Sequence, residues 1–402
     1  MTPPLPFDRI RDVLCRFVAW LDRHGETSYD HQSFFAGPLG RGAKALYYRK
    51  RLLGTVAVAP MVLCEAFIPS ARRLFWTPQR FPIADAHYAM GFAYLSQAFG
   101  EQAYYRRAVH FLDVLSETRC PGYERHGWGY PFDWETKGGT ITRGTPLITT
   151  LPYVYEAFRD VYELDKDEKW RQVMRSIAQH ALLDYRDIET SPRAASCAYT
   201  PASDDPGGTI NASAYRAFLL MRAAADFSEP AYGEAAERNM NFVLDAQNAD
   251  GSWYYSIDGH DFVDHFHTCF VLKALAKLET LTGESCCTDA IQRGVAYYVR
   301  NLFDEECRPR PFSRAPRVTV YRHELYDYAE CLNLATLLRG RFPELDAIAA
   351  VVLREVLDRW QKPDGSFRSR RLLLGWDNVP MHRWAQSQMF RSLSLILDAS
   401  GS

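Results

Sequence analysis

From Pro82 onward the chain alternates apolar helical stretches with short polar loops carrying Gly and an aromatic residue, and nothing reads as a long alternating strand. The spacing predicts paired helices over residues 84–99 with 102–117, 146–163 with 166–185, and 211–227 with 230–247. Two more pairs are predicted over 264–282 with 287–303 and 324–341 with 343–361. A last helix, 381–397, is expected to pair with the first, 7–24.

Two loops repeat one another, Gln247-Asn248-Ala249-Asp250-Gly251-Ser252-Trp253 and Gln361-Lys362-Pro363-Asp364-Gly365-Ser366-Phe367. They lie 114 residues apart (361 minus 247), twice the length of one helix pair with its connections. Asp-Gly turns the chain after each helix, and the ring packs back on the helix end. A single amphipathic hairpin cannot bury its apolar face alone, and a closed ring leaves no ends to cap. The expected fold is therefore all-α, an (α/α) toroid of five to six hairpins, with residues 1–402 as one domain. Residues 28–80 fit no pair; with Gly37, Gly40, Gly42 and the cluster Arg49-Lys50-Arg51, they are expected to form an irregular N-terminal insertion.

Composition narrows the function classes. With 47% apolar residues in 402, a large core is possible, and a net charge of -2 with mixed signs excludes a surface built for nucleic acid. The chain starts without a basic-then-apolar leader, and its longest apolar run, 52–67, is interrupted by Gly54, Pro60 and Glu65. No transmembrane segment and a cytoplasmic location are expected. Nine cysteines without a CxxC pair read as reduced thiols. No Walker, G-x-G-x-x-G or G-x-S-x-G pattern is present, so no cofactor is expected.

In a ring of hairpins the first turns of the inner helices open on one cavity, so polar residues at equivalent starts converge there. They are Asp85 and His87; Arg143, Thr145 and Thr149; Asn211, Ser213 and Tyr215; and Asp264, His265 and His267. Glu324, Tyr326, Asp327 and Glu330 follow, then His382, Arg383, Trp384 and Gln386. Asp, Ser, Thr and Asn also serve as ordinary helix caps. The stretch from Phe262 to Phe270 stands out, because two imidazoles and a carboxylate in apolar surroundings are costly unless used or paired. His265 and His267 are two apart and point to different sides of a helix, and no H-E-x-x-H accompanies them, so no metal is expected. Aromatic residues, 14% of the chain, crowd the loops, which suits stacking on a ligand.

The pattern Q-x-x-x-G-x-W at Gln247 to Trp253 resembles the repeat motif of the triterpene cyclase and prenyltransferase α/α-barrel superfamily, over roughly the last half of the chain. The likeness stops at the fold, since the D-x-D-D acid motif of terpene cyclases is missing. Gly251-Ser252-Trp253-Tyr254-Tyr255, Asp264 to Thr268 and Arg383-Trp384-Ala385-Gln386 are similar to the α/α-toroid proteins of bacterial exopolysaccharide and capsule synthesis and to the helical domain of glucuronyl C5-epimerases.

That resemblance implies a polysaccharide or oligosaccharide substrate, and possible association with a polysaccharide synthesis complex. Two chemistries fit. Removal of the C5 proton of a uronic acid gives an epimerase or a lyase, with His267, His265, Tyr215 or Tyr326 moving the proton and Arg383, Arg143 or Asn211 stabilising the charge. Glycoside hydrolysis would instead use paired carboxylates among Asp264, Glu324, Asp327, Asp85 and Glu330. A non-catalytic binding or scaffold protein would stack sugars on Trp128, Trp134, Trp253, Tyr254 and Trp384. The expected catalytic set is His265, His267, Tyr326, Arg383, Glu324 and Asp264. Arg143, Asn211, Tyr215, Trp253, Tyr254, Asp327, Trp384, Gln386, Trp128 and Trp134 are expected to bind substrate.

Overall fold

A computed structural model describes residues 6–283, 285–317 and 319–401. The helices are α1 (Phe7–His24), α2 (Ser33–Ala36), α3 (Pro38–Arg49), α4 (Arg51–Phe67), α5 (Arg72–Phe75), α6 (Pro82–Phe99), α7 (Gln102–Glu117), α8 (Leu151–Asp165) and α9 (Glu168–Leu183). The rest are α10 (Ile210–Phe227), α11 (Pro230–Asp245), α12 (His265–Thr282), α13 (Thr288–Asn301), α14 (Leu325–Leu337), α15 (Pro343–Glu355) and α16 (Ser387–Gly401).

The inner helices α6, α8, α10, α12, α14 and α16 pack each against the next, and α16 returns to α6, closing a ring. The outer helices α7, α9, α11, α13 and α15 back their hairpin partners, and α1 backs α16. The fold is an (α/α) toroid of six hairpins, as the helix spacing predicts. Inner helices such as α6 and α12 carry buried apolar residues on every side, whereas the outer ones bury a single stripe such as Ile10, Val13, Leu14, Phe17 and Leu21 of α1.

Sheets are confined to short antiparallel pairs in the connections, among them β1 (Trp134–Thr136) with β2 (Gly139–Ile141) and β3 (Asp187–Ser191) with β4 (Ala194–Cys197). A further pair joins β5 (Val263–Asp264) to β6 (Phe312–Arg314), and a three-stranded sheet joins β7 (Tyr321–Glu324), β8 (Arg370–Leu372) and β9 (Trp376–Asp377). Among the described residues no helix is long and apolar enough to cross a membrane.

The repeated loops are staples between neighbouring hairpins. Gln247 Nε2 donates to Gly251 O and to Ala290 O on α13, both at 3.0 Å. Gln361 Nε2 repeats this with Gly365 O at 3.0 Å and with Val13 O on α1 at 2.8 Å, so the second copy locks α1 to the hairpin of α14 and α15. In both, the aspartate caps its own turn: Asp250 Oδ1 accepts from Ser252 N and Oγ, and Asp364 Oδ1 from Ser366 N and Oγ, at 3.0 and 2.7 Å.

Beneath the ring's open face, three inner helices meet on a buried ion cluster. Lys273 of α12 pairs with Glu330 of α14, and Arg391 of α16 lies 3.6 Å from the same carboxylate. Burial pushes the Lys273 ammonium down to about 8, against the pull of Glu330.

Residues 28–80 depart from the expectation of an irregular insertion. They form the short helices α2 and α5 around a helical hairpin, α3 and α4. The periodicity was legible in 51–67, but Gly54 and Pro60 read as breaks. Gly54 instead sits where α4 crosses Tyr47, where a Cβ would lie 2.0 Å from the Tyr47 Cα.

Gly365 has φ +96°, and a Cβ there would lie 2.3 Å from Arg16 O on α1. Gly365→Ala is expected to lower the unfolding free energy by about 2–3 kcal/mol. Urea unfolding measures it, with Gly42→Ala, where a methyl meets open space, as the control. Equal stability of the two variants would mean that this loop does not hold the ring closed.

Candidate active site

The first turns of all six inner helices, with the residues just before them, converge on a cavity of about 60 Å³. Ile83 enters from α6, Thr149, Thr150 and Tyr153 from α8, and Asn211 and Tyr215 from α10. Phe266, His267 and Phe270 come from α12, Tyr326 from α14, and Arg383, Trp384 and Gln388 from the turn into α16. Tyr130 and Tyr199, from loops, complete the wall. Among these described lining residues none is Asp or Glu.

His267 is oriented from behind. Asp264 caps α12, its Oδ1 accepting from His267 N at 2.9 Å while its Oδ2 lies 2.6 Å from His267 Nδ1. Asp264 is buried and His267 partly exposed, so the carboxylate fixes the ring and Nε2 is the nitrogen left for the cavity. Facing it are hydroxyls. Tyr153 and Tyr215 hydrogen-bond to each other, and burial pushes these two hydroxyls and that of Tyr326 well above the ordinary tyrosine value. All three therefore stay protonated, and within the Tyr153–Tyr215 pair one hydroxyl donates to the other.

Arg383 is held by a partner that the sequence did not reveal. Asp30 receives Arg383 Nε at 2.8 Å and Nη2 at 2.9 Å, and the guanidinium stacks on Tyr130 and Trp384 at 4.4 and 4.5 Å. This leaves Nη1 outside the bidentate pair. Asn211 is buried, and its Oδ1 has no hydrogen-bond partner within the protein.

The remaining candidates lie elsewhere. His265 does not join His267; it is fully buried, with Nε2 2.6 Å from Tyr298 Oη and Nδ1 3.2 Å from Leu302 O. The two-residue offset turns it to the outer helix. Glu324 is buried and paired with Arg370 at 2.8 Å, and Arg370 also reaches Glu65 at 2.6 Å. Asp327 is buried behind Tyr326 with neither oxygen hydrogen-bonded, and burial with Glu324 and Asp264 nearby pushes its carboxyl well above the usual range.

The aromatic platforms divide. Trp384 lines the cavity, and Trp134 packs at 5.3 Å on Tyr130. Trp128 and Trp253 are buried and donate to Leu115 O at 2.8 Å and Val243 O at 2.9 Å, so they close helix ends and offer no face to a sugar. Tyr254 lies outside, its hydroxyl accepting from Arg314. Gln386 is buried in a double backbone pairing with Phe367, and Arg143 is exposed with its amide donating to Asp133. Sequence reasoning passed over Tyr130, Tyr153, Tyr199, Phe266, Phe270 and Gln388. Tyr153 is the instructive one, since it lies in the first two turns of an inner helix, as Tyr215 and Tyr326 also do.

Burial pushes His265 and His382 down to about 3, from an ordinary value of 6.5. Both are neutral in the fold, so the stability they support is complete above pH 6.5 and is lost as pH falls from there toward about 3, where the unfolded chain takes up the protons. Urea midpoints should therefore decline through that range. His265→Gln should start lower at neutral pH and decline less steeply; an unchanged slope would show that His265 is not held neutral.

No protein-family model matches the chain, and no curated protein matches it in sequence. Solved structures do share its fold. A possible member of the GH105 family from Salmonella enterica aligns with TM-score 0.64 at 11% identity, covering 99% of this chain and 96% of that one. A cellobiose 2-epimerase from Bacillus thermoamylovorans aligns with TM-score 0.63 at 8% identity over 80% of this chain and 88% of its own. A second, from Spirochaeta thermophila, aligns with TM-score 0.59 at 14% identity over 85% and 98%.

Proposed function

We propose that this protein is a carbohydrate-active enzyme that abstracts the C5 proton of a uronic acid in a polysaccharide or oligosaccharide, acting as a C5-epimerase or lyase. The observation that carries the reading is the Asp264–His267 dyad, which presents one imidazole nitrogen to a cavity lined by protonated tyrosines and by no carboxylate. A carboxylate pair for hydrolysis has no seat on that wall.

His267 Nε2 takes the C5 proton, and the C–H electron pair moves into the sugar carboxyl to give an enediolate. Arg383 Nη1 and the Asn211 amide stabilise that charge. In an epimerase, Tyr326 or Tyr215 returns a proton to the opposite face of C5. In a lyase, the electron pair returns to form the C4–C5 double bond, the C4–O bond breaks, and a tyrosine hydroxyl protonates the departing oxygen.

Two features favour an acidic sugar. Six helix N-termini point into the cavity with their partial positive charge. Burial, with the Arg317 and Arg383 guanidinium groups nearby, brings the Lys44 ammonium down to about 8, so basic groups gather on this side of the ring. Both cellobiose 2-epimerases that share the fold are epimerases by name, which supports an epimerisation among the readings.

Incubation with uronic-acid polymers in deuterated water, followed by proton NMR and by absorbance of unsaturated ends, tests this. Deuterium at C5 or an unsaturated product is expected. His267→Asn should lower either rate about 10²- to 10⁴-fold. Asp264→Asn should also lower it while unfolding at an unchanged midpoint, because Asn caps α12 as well as Asp does. Neither exchange nor unsaturation on any polymer would refute the proposal, and exchange at C2 of a neutral disaccharide would replace its substrate class.

A further inference from the structure

The hairpin of α3 and α4 roofs the open face of the ring. Its inner side is tied down: Glu65 of α4 binds Arg370, and His31, just before α2, lies 5.0 Å from the Trp384 ring. Its outer side is bare. Leu52, Val56, Pro60, Leu63 and Phe67 follow one another at steps of four, four, three and four, a single face of α4. Leu52 is 86%, Val56 74%, Leu63 57% and Phe67 54% exposed. Nine of the fifteen large apolar side chains exposed among the described residues fall between 39 and 74. None of α4's apolar residues joins the main core.

Charge says what covers this face. Residues 38–76 hold seven Lys and Arg against one acid, Glu65; Arg72 is buried on Asp377 and Arg41 is paired with Asp133, which leaves Lys44, Arg49, Lys50, Arg51 and Arg73 as the basic groups of this segment without an acid pair. Glu65 is engaged with Arg370, while Arg49, Lys50 and Arg51 stand together at the hairpin corner, two of them next to the exposed Leu52 and Leu53. Pairing this face with itself would bring two such basic corners together. A helix face of bulky apolar side chains with a cationic corner at its start matches an anionic bilayer, where the apolar side chains enter the acyl boundary and the cations meet the headgroups.

We propose that the outer face of α4, with the Arg49-Lys50-Arg51 corner, docks on an anionic lipid surface. The helix lies in the interface and does not cross it. The mouth of the cavity is thereby held at the membrane.

Sedimentation of the full-length protein with vesicles of phosphatidylcholine alone, or with added phosphatidylglycerol, tests the proposal. Binding to the anionic vesicles is expected, at least about ten-fold tighter than to the zwitterionic ones and weakened by salt. The triple change Leu52→Ser, Val56→Ser, Leu63→Ser should abolish sedimentation. Lys50→Glu with Arg51→Glu should weaken it about ten-fold or more, and serves alone if the triple variant fails to fold. No binding to anionic vesicles, or binding that both variants retain, would overturn it. So would a dimer in sedimentation velocity that the triple variant dissociates, which would give the face to a second copy.

Discussion

The structure depends on one constraint: its six inner helices are buried on most of their sides, so none can sit at an edge. Each needs an inner neighbour on both sides and an outer helix behind it, and only a closed ring satisfies all six at once. Closure falls on the last seam, where α16 meets α6 and α1 must be held in place behind it. The Gln361 side chain bridges its own loop to Val13, and His382 binds Tyr88 Oη through Nδ1 at 2.5 Å and Gly25 O through Nε2 at 3.1 Å. The residues nearest the two ends of the chain thus supply the polar contacts that turn a solenoid into a torus.

Closing the ring also creates the site. With every inner helix pointing the same end at one face, the first turns supply the wall and the polar ion cluster of Lys273, Glu330 and Arg391 fills the axis below. Three carboxylates behind the wall are each engaged with a neighbour: Asp264 with His267, Glu324 with Arg370, Asp30 with Arg383. What is left facing the cavity is an imidazole, amides, hydroxyls and a guanidinium, a set suited to moving protons and stabilising an anion.

Much of this was legible in the sequence because it is local. Helix spacing placed the hairpins to within a few residues, and the repeat of Gln, Asp, Gly and an aromatic marked two of the seams. Position at an inner-helix start found Asn211, Tyr215, His267, Tyr326, Arg383 and Trp384. The failures were non-local. A loop tryptophan beside Gly looks alike whether it faces a sugar or sends its indole N–H to a helix end, as Trp128 and Trp253 do. The two-residue offset separates His265 from His267 already in the sequence, but which of the two faces the cavity is decided by the packing of α13 against α12, where Tyr298 takes the first. Asp30 came from a segment whose glycines disguised a helical hairpin, and its partner lies 353 residues away.

The roof over the ring has a kinetic meaning. A space of about 60 Å³ holds on the order of four or five water molecules, whereas pockets for small ligands span about 300–1,000 Å³. The cavity described is narrow though not sealed, and it widens to ligand size only if the aromatic wall or the segment above it shifts. Apparent affinity is then the intrinsic affinity reduced by the fraction of molecules that stand open. Whatever loosens Glu65 from Arg370 or His31 from Trp384 would act as an opener, and the rate of admission would belong to the roof instead of the chemistry beneath it.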